Sequence, residues 1–236
     1  MVLSNVIDRR QILANHFLFQ HLADQDLATL LTHARVEKHR ANDVIFRQGM
    51  PGHNLIAVLS GQVKITIQAS SGKEIVLAIC NPGEVFGELA LLDGKPRSAD
   101  AIAISSCELL VIDRRDFLAF LEARPAVCIR LLAVLSARLR RTDEQVQELA
   151  FLDLPSRLAK TLVRLCEAHS RASPKGLEIN LKLSQHELGR MVGGSRESVN
   201  KQLRAWQNAG LVRLAAGKII IQDLAGLRGE GERDLD

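Results

Sequence analysis

PAVCIRLLAVLSARLRRTDEQVQELAF, residues 125–151, is the stretch around which the rest of this chain is organised. Apolar or small residues recur in it at Cys128, Leu132, Leu135, Leu139, Thr142, Val146 and Leu149. Their steps alternate between four and three, an a/d heptad pattern held over about three heptads. Charged residues such as Arg138, Asp143 and Glu148 flank it. A seam of this kind pairs with its own copy, so Leu132, Leu135, Leu139, Val146 and Leu149 are expected to form the axis of a homodimer. The same periodicity also suits one long amphipathic helix lying on its own domain. Thr142 puts a hydroxyl on the seam and Asp143 a carboxylate beside it. Polar groups in such a place lower stability unless something pairs with them, and that need points to a partner outside the helix.

Upstream, residues to about Arg35 read as helical, with Phe17, Phe19, Leu22, Leu27, Leu30 and Leu31 at near-helical spacing. From Val36 to Ile112 the pattern changes to short apolar runs beginning at Val44, Leu55, Val63, Ile75, Ala101 and Leu109. Gly52, Gly61, Gly72, Gly83 and Gly94 punctuate them at roughly ten-residue intervals, which predicts an antiparallel barrel or jelly roll. Asp113 is placed to cap a short helix running to about Leu121, and Pro125 opens the long one. Downstream, Asp153 and Pro155 suit the N-cap and first turn of a helix reaching about His169. A loop at 170–176, two short helices and a hairpin follow. Residues 226–236, poor in apolar side chains, read as a disordered tail.

A length of 236 residues suits two modest domains, and 47% apolar with 25% charged residues is ordinary for a globular protein. No apolar run reaches the roughly 18 residues that span a bilayer, and the first ten residues lack a secretory pattern, so a cytoplasmic location is expected. Cys80, Cys107, Cys128 and Cys166 form no C-x-x-C pair, and the seven histidines show no H-x-H or H-E-x-x-H spacing. No metal, haem or iron–sulfur cluster is therefore expected. Residues 154–222 carry 12 Lys/Arg against 4 Asp/Glu, a balance of +8, while the remainder stands at −4. A basic C-terminal third points to a polyanion partner for that third alone. Aromatics at 3%, with no Tyr, argue against single-strand stacking platforms and favour duplex DNA.

Phe86-Gly-Glu-Leu-Ala-Leu-Leu-Asp-Gly-Lys-Pro-Arg-Ser-Ala99 is the informative stretch of the first domain. A glycine before a short apolar helix turn offers backbone N–H groups of Gly87, Leu89 and Ala90 to an anion. Arg97 can reach back with a bidentate fork. Glu88 would be misplaced beside an anion unless it accepts from hydroxyls such as those of a ribose. Phosphate plus sugar makes a nucleotide. The alternative is that Glu88 and Arg97 pair with each other across the turn.

Ser184-Gln-His-Glu187 is a capping box, Gly193-Gly194 makes a turn, and Ser195 caps a second helix closed by Gly210. Val199, Leu203 and Trp206 share its inner face. Arg196, Glu197, Asn200, Lys201 and Arg204 fall outward. This is helix-turn-helix spacing with a polar reading face, and residues 211–221 read as a two-stranded wing.

The run G-E-L-A-L-L with R-S-A, the L-S-G-x-V-K-I run from Leu59, Gly83, and S-R-E-S-V-N-K from Ser195 together resemble the CRP/FNR family of bacterial regulators over nearly the whole chain, its catabolite activator branch in particular. That resemblance implies an α+β chain: a cyclic-nucleotide-binding beta-roll (1–124), a dimerisation helix with hinge (125–152), a winged helix-turn-helix (153–225) and the tail. It implies that Glu88 binds the ribose 2′-hydroxyl and that Arg97 and Ser98 bind the cyclic phosphate, helped by backbone near Gly87 and Leu89. It also implies that Thr142 and its neighbour reach the base. Asp143 departs from the family's usual Ser; a carboxylate suits the paired donors of a guanine edge. The expected effector is therefore cAMP, with cGMP competent as well. Arg196 is expected to contact a guanine bidentately and Glu197 a cytosine amino group, within a palindromic site of TGT-containing half-sites. Lys201, where the family usually has Arg, is a point donor rather than a fork and would read its base less strictly. Lys182, Ser184, Ser195, Arg213 and Lys218 are phosphate contacts by expectation, and the 170–176 loop is a contact for RNA polymerase by analogy.

The family's oxygen sensors need an N-terminal cysteine cluster that residues 1–35 lack, and Cys80 alone does not make a haem sensor. A regulator that needs no ligand or takes another small molecule is the first alternative. A metal-dependent jelly-roll enzyme is the second, and it lacks clustered ligands and a nucleophile–base pair.

Overall fold

In the computed structural model, which describes residue 19 and residues 22–70, 72–174, 176–181, 183–215 and 217–232, strand alternation accounts for the N-terminal architecture. Strand β3 (Asn54–Ser60) turns Leu55, Ala57 and Leu59 one way and Ile56 and Val58 the other, and all five are buried. Strand β8 (Cys107–Asp113) divides Leu110 and Ile112 from Leu109 and Val111 in the same way. These two strands are the centre of a sheet ordered β1-β8-β3-β6, with β1 at Ala34–His39 and β6 at Val85–Phe86. A second sheet is ordered β2-β7-β4-β5, from Val44–Phe46, Asp100–Ala103, Val63–Gln68 and Glu74–Cys80. Ile56, Val58, Leu109 and Val111 meet Val63, Cys80, Phe86, Ala101 and Ala103 in the core between the sheets.

The opposite face of β3 and β8 is covered by helices. Leu27 and Leu30 of α1 (Asp24–Thr32) join Leu91 of α2 (Glu88–Asp93), Phe117 and Phe120 of α3 (Arg114–Glu122), and Val127 and Leu131 of α4 (Pro125–Phe151). Each such large side chain contributes about 1.5–3 kcal/mol by leaving water. The expected jelly roll is thus an antiparallel roll of two sheets. The N-terminal helix ends at Thr32 rather than near Arg35, because Ala34 already pairs with Ile112. Phe17 lies outside the described residues. Asp113 stands at the N-cap of α3, but its carboxylate accepts from Arg35 Nη1 at 2.7 Å and makes no cap hydrogen bond.

The long helix α4 has the expected bounds, yet its stripe divides. Leu132, Leu139 and Val146 are at least 60% exposed, as is Ile129, whereas Cys128 and Leu135 turn toward the roll's own core. Two compact units part within this helix: residues 76–140 with those before 70, and residues 141 onward with 70–75.

In the second unit, Asp153 Oδ1 accepts from Ser156 N at 2.8 Å and Pro155 lies in the first turn, so α5 (Leu154–His169) starts where expected. It packs on α6 (Gln185–Val192), α7 (Arg196–Asn208) and α8 (Leu224–Gly231). Two expectations are corrected here. The 170–176 loop is instead a hairpin, β9 (Ser170–Ser173) with β10 (Gly176–Ile179), which joins β11 (Val212–Ala215) and β12 (Lys218–Ile221) in one sheet ordered β11-β12-β10-β9. The stretch expected to be disordered from 226 begins inside α8, because Leu227 is fully buried and Asp223 caps the helix through Gly226 N. No described helix is long and apolar enough to cross a membrane.

Candidate ligand pocket and DNA-reading surface

In the roll, β6 delivers the chain to Gly87, whose φ of 82° is a left-handed conformation that reverses it into the short α2. The turn places Glu88 inside, at 3% exposure, and leaves Leu89 outside with Ala90 buried behind it. Nine residues on, Arg97 is 4% exposed. Its backbone is pinned to the 49–50 turn, Gly49 N donating to Arg97 O and Arg97 N to Met50 O, each at 2.8 Å. Ser98 beside it is exposed.

The guanidinium of Arg97 lies 4.2 Å over the Phe46 ring, a placement favourable for a cation. Nη1 donates to Gly87 O at 2.8 Å, and Nη2 donates to Asn54 O at 3.1 Å and Asn54 Oδ1 at 2.5 Å. Nε is buried with no partner. Burial pushes the arginine down from its ordinary pKa, against the opposing pull of Glu88. Two glycines make room for it. A Cβ on Gly52 would stand 2.8 Å from Nε, and one on Gly87 would stand 2.4 Å from Nη1.

Glu88 and Arg97 do not pair across the turn. Glu88 instead accepts from Nη1 of Arg138 on α4, whose Nη2 donates to Val85 O. Burial works against the charge on Arg138, but Glu88, then Cys80 and Glu84, outweigh it and hold the guanidinium above its ordinary pKa. Sequence reading assigned Arg138 only a flanking charge and did not single out Asn54. No local signal in the sequence points to Arg138, which lies 50 residues from Glu88. Cys80 packs between the sheets, and burial chiefly pushes its thiol up to about 12, which keeps it an unreactive thiol. Thr142 and Asp143 are exposed positions of α4.

In the second unit the capping box at Ser184 is complete. Its Oγ accepts from Glu187 N at 3.2 Å, and Glu187 Oε2 accepts from Ser184 N at 2.8 Å. Ser195 Oγ accepts from Ser198 N at 3.0 Å and starts α7. Val199, Leu203 and Trp206 are buried, so Arg196, Glu197, Lys201 and Arg204 are turned to solvent. Asn200 departs from the expected outward set: it is half-buried, and its Oδ1 accepts from Gln185 Nε2 at 3.2 Å. A groove of about 600 Å³ between the helix pair and the wing is lined by Ser184, His186, Arg196, Leu214 and Lys218. Arg213 is exposed on β11. Lys218 is not a lone cation, for its Nζ donates to Glu178 Oε1 at 2.8 Å, an oxygen that also accepts from Arg171 at 2.7 Å. Lys182 lies outside the described residues.

Two family models match, the cyclic nucleotide-binding domain over residues 36–124 and the Crp-like helix-turn-helix domain over residues 156–230. The chain is 34% identical over 213 residues to the CRP-like cAMP-activated global transcriptional regulator of Mycobacterium tuberculosis, covering 90% of this chain and 95% of that one. It is 35% identical to the cyclic AMP receptor protein of Thermus thermophilus, covering 88% and 93%. Among solved structures, the c-di-GMP responsive global regulator CLP of Xanthomonas campestris superposes with a TM-score of 0.75 at 28% identity, over 84% of this chain and 99% of that one.

Proposed function

The chain belongs to the CRP/FNR family of DNA-binding transcription regulators and carries a cyclic nucleotide-binding domain, and on that footing we propose that it is a cyclic-nucleotide-activated homodimer acting on palindromic operators. The observation that carries the reading is the presence in one stretch of a buried carboxylate, Glu88, and a buried arginine, Arg97, that do not bond each other, the arginine with its Nε lacking a partner. A carboxylate for ribose hydroxyls and a fork for a phosphate are the two recognition chemistries that a cyclic nucleotide needs. Gly87, Leu89, Ala90 and Ser98 would complete the phosphate cradle. Thr142 and Asp143 would read the base, with cAMP as the effector and cGMP accommodated by the Asp143 carboxylate.

The exposed Leu132, Leu139 and Val146 of α4 support self-association, since a contiguous apolar stripe on one helix face marks an interaction surface. On DNA, Arg196 would take a guanine and Glu197 a cytosine, with Lys201 the looser third reader of a TGT-containing half-site. Ser184, Ser195, Arg213 and Lys218 would hold phosphates, as would Lys182. Such a protein works in the cytoplasm, carries no catalytic site, and meets RNA polymerase at the promoter.

A second reading is favoured by one observation. Arg97 and Glu88 already have internal partners in Asn54, Gly87 and Arg138, as they would in a regulator that needs no ligand or takes a different one. Titration calorimetry of nucleotide-stripped protein with cAMP, cGMP and cyclic di-GMP separates the two. The expected result is binding of cAMP and cGMP, loss of both in Arg97→Leu, and selective weakening of cGMP in Asp143→Ser. Absence of heat with cAMP and cGMP would leave the DNA-binding half of the reading and remove its effector.

A further inference from the structure

Resting on that reading of the pocket, the geometry points to Asn54 as an internal competitor for Arg97, a residue that sets how readily the arginine is released to an anion. Asn54 opens β3 and is half-buried, while Arg97 stands 43 positions away at the entry to β7. The backbone and the carboxamide of Asn54 both accept from Nη2, at 3.1 and 2.5 Å, and Gly87 O accepts from Nη1. An amide–guanidinium hydrogen bond of this kind is charge-assisted on one side only, stronger than a neutral pair and weaker than a carboxylate or phosphate contact.

The direction of the effect follows from what else holds the side chain. The guanidinium is walled by Gly52 and Gly87, whose Cβ atoms would collide with it, and it rests on the Phe46 ring. Deleting the Asn54 carboxamide therefore leaves Arg97 scaffolded by two backbone carbonyls and an aromatic face. What deletion removes is a rival acceptor. In the present arrangement Nη2 is used twice and Nε is sealed without an acceptor, so no edge of the fork is available as a bidentate donor. Bidentate capture of a phosphate needs such an edge, and it can arise only if the carboxamide lets go. The orphaned Nε makes the resting arrangement imperfect, because a buried donor without a partner carries a desolvation penalty that a phosphate oxygen would relieve. An amide therefore suits both states, holding the arginine in the absence of ligand and yielding to a full negative charge. A carboxylate at this position would not yield, since it would form an ion pair with Arg97 that a phosphate must break.

The test is a substitution series read by calorimetric Kd for cAMP and cGMP on the full-length protein, with thermal unfolding of each variant alongside. Asn54→Ala and Asn54→Ser are expected to bind about tenfold more tightly than wild type, the worth of one charge-assisted hydrogen bond. Asn54→Asp is expected to bind at least about tenfold more weakly while unfolding at an equal or higher temperature. A merely structural residue would give weaker binding in all three variants, in proportion to lost stability, and that result overturns the inference. So does affinity unchanged within twofold across the series. If wild type binds neither nucleotide, the effector assignment itself fails and the inference falls with it. A flat series in a protein that does bind removes the role of Asn54 alone.

Discussion

Arg97 and Arg196 are the two arginines proposed to meet a nucleotide and DNA, and the two regions that hold them treat the guanidinium in opposite ways. Arg97 is buried among acceptors supplied by its own chain, with Glu88 in turn committed to Arg138. Arg196 stands exposed in the first turn of α7, beside Glu197, which is also exposed. Nucleotide binding at the proposed roll site would therefore be an exchange of partners, its net energy the small difference between two sets of hydrogen bonds. Binding at the helix-turn-helix adds contacts that the free protein does not make, and released counterions drive much of it. The difference teaches that a small effector can shift such a protein only by outbidding internal contacts, whereas DNA meets groups already displayed. Displayed groups should affect association and leave folding alone; committed groups should affect both.

The comparison is broken most severely at α4, where the displayed groups are apolar. Leu139 is 63% exposed on the single chain. If it lies in a symmetric interface, Leu139→Glu removes two buried leucines and places two carboxylates there, a loss of at least about 3–6 kcal/mol of dimer free energy. Sedimentation velocity should show monomer at concentrations where wild type is dimer, with operator affinity lowered more than about a hundredfold. A dimer that persists in this variant would mean that the exposed stripe is not the interface. Arg196→Ala comes next. Losing one bidentate guanine contact should cost about 1–3 kcal/mol on the specific operator, with the thermal midpoint unchanged. An equal loss on random-sequence duplex would demote Arg196 from base reader to phosphate contact.

The contrast also explains what could be read from the chain before its structure. The bounds of α4, the capping box at Ser184 and the Ser195 cap are local patterns, and each appears where its residues placed it. Local pattern does not say which neighbour a stripe will meet. Cys128 and Leu135 obey the same heptad as Leu132 and Leu139 yet turn to the roll's own core. Ser170–Ser173 is too polar to read as a strand and becomes one because β10 beside it pairs with the wing. The residues that tie up the pocket were illegible for the same reason. Asn54 is 43 positions from Arg97, and Arg138 is 50 from Glu88, so only the fold brings them together. Asn200 was placed by helical period on the outer face, and its side chain folds back to Gln185 through a contact that periodicity does not encode.

The wing offers the finest test, because there a group expected to be displayed is partly committed. Glu178 takes hydrogen bonds from both Lys218 and Arg171 on neighbouring strands. Its hydrogen bond from Lys218, then that from Arg171, holds its carboxyl below the ordinary carboxylate range. A group depressed in the folded state contributes fully above its unfolded pKa and loses that contribution only as pH falls through the lowered value. The clamp should accordingly be insensitive to pH from about 5 to 8 and weaken only in acid. Glu178→Gln keeps the shape and removes the charge, which frees Lys218 and Arg171 to meet DNA phosphates. Affinity for random-sequence duplex should then rise at low salt, and the dependence of log K on log salt should steepen by about one to two phosphate equivalents. Discrimination between operator and random duplex should narrow, since phosphate contacts carry no sequence information. An unchanged salt slope would mean that neither cation lies on the DNA path, and Lys218 would then belong with Arg97 among the groups the protein spends on itself.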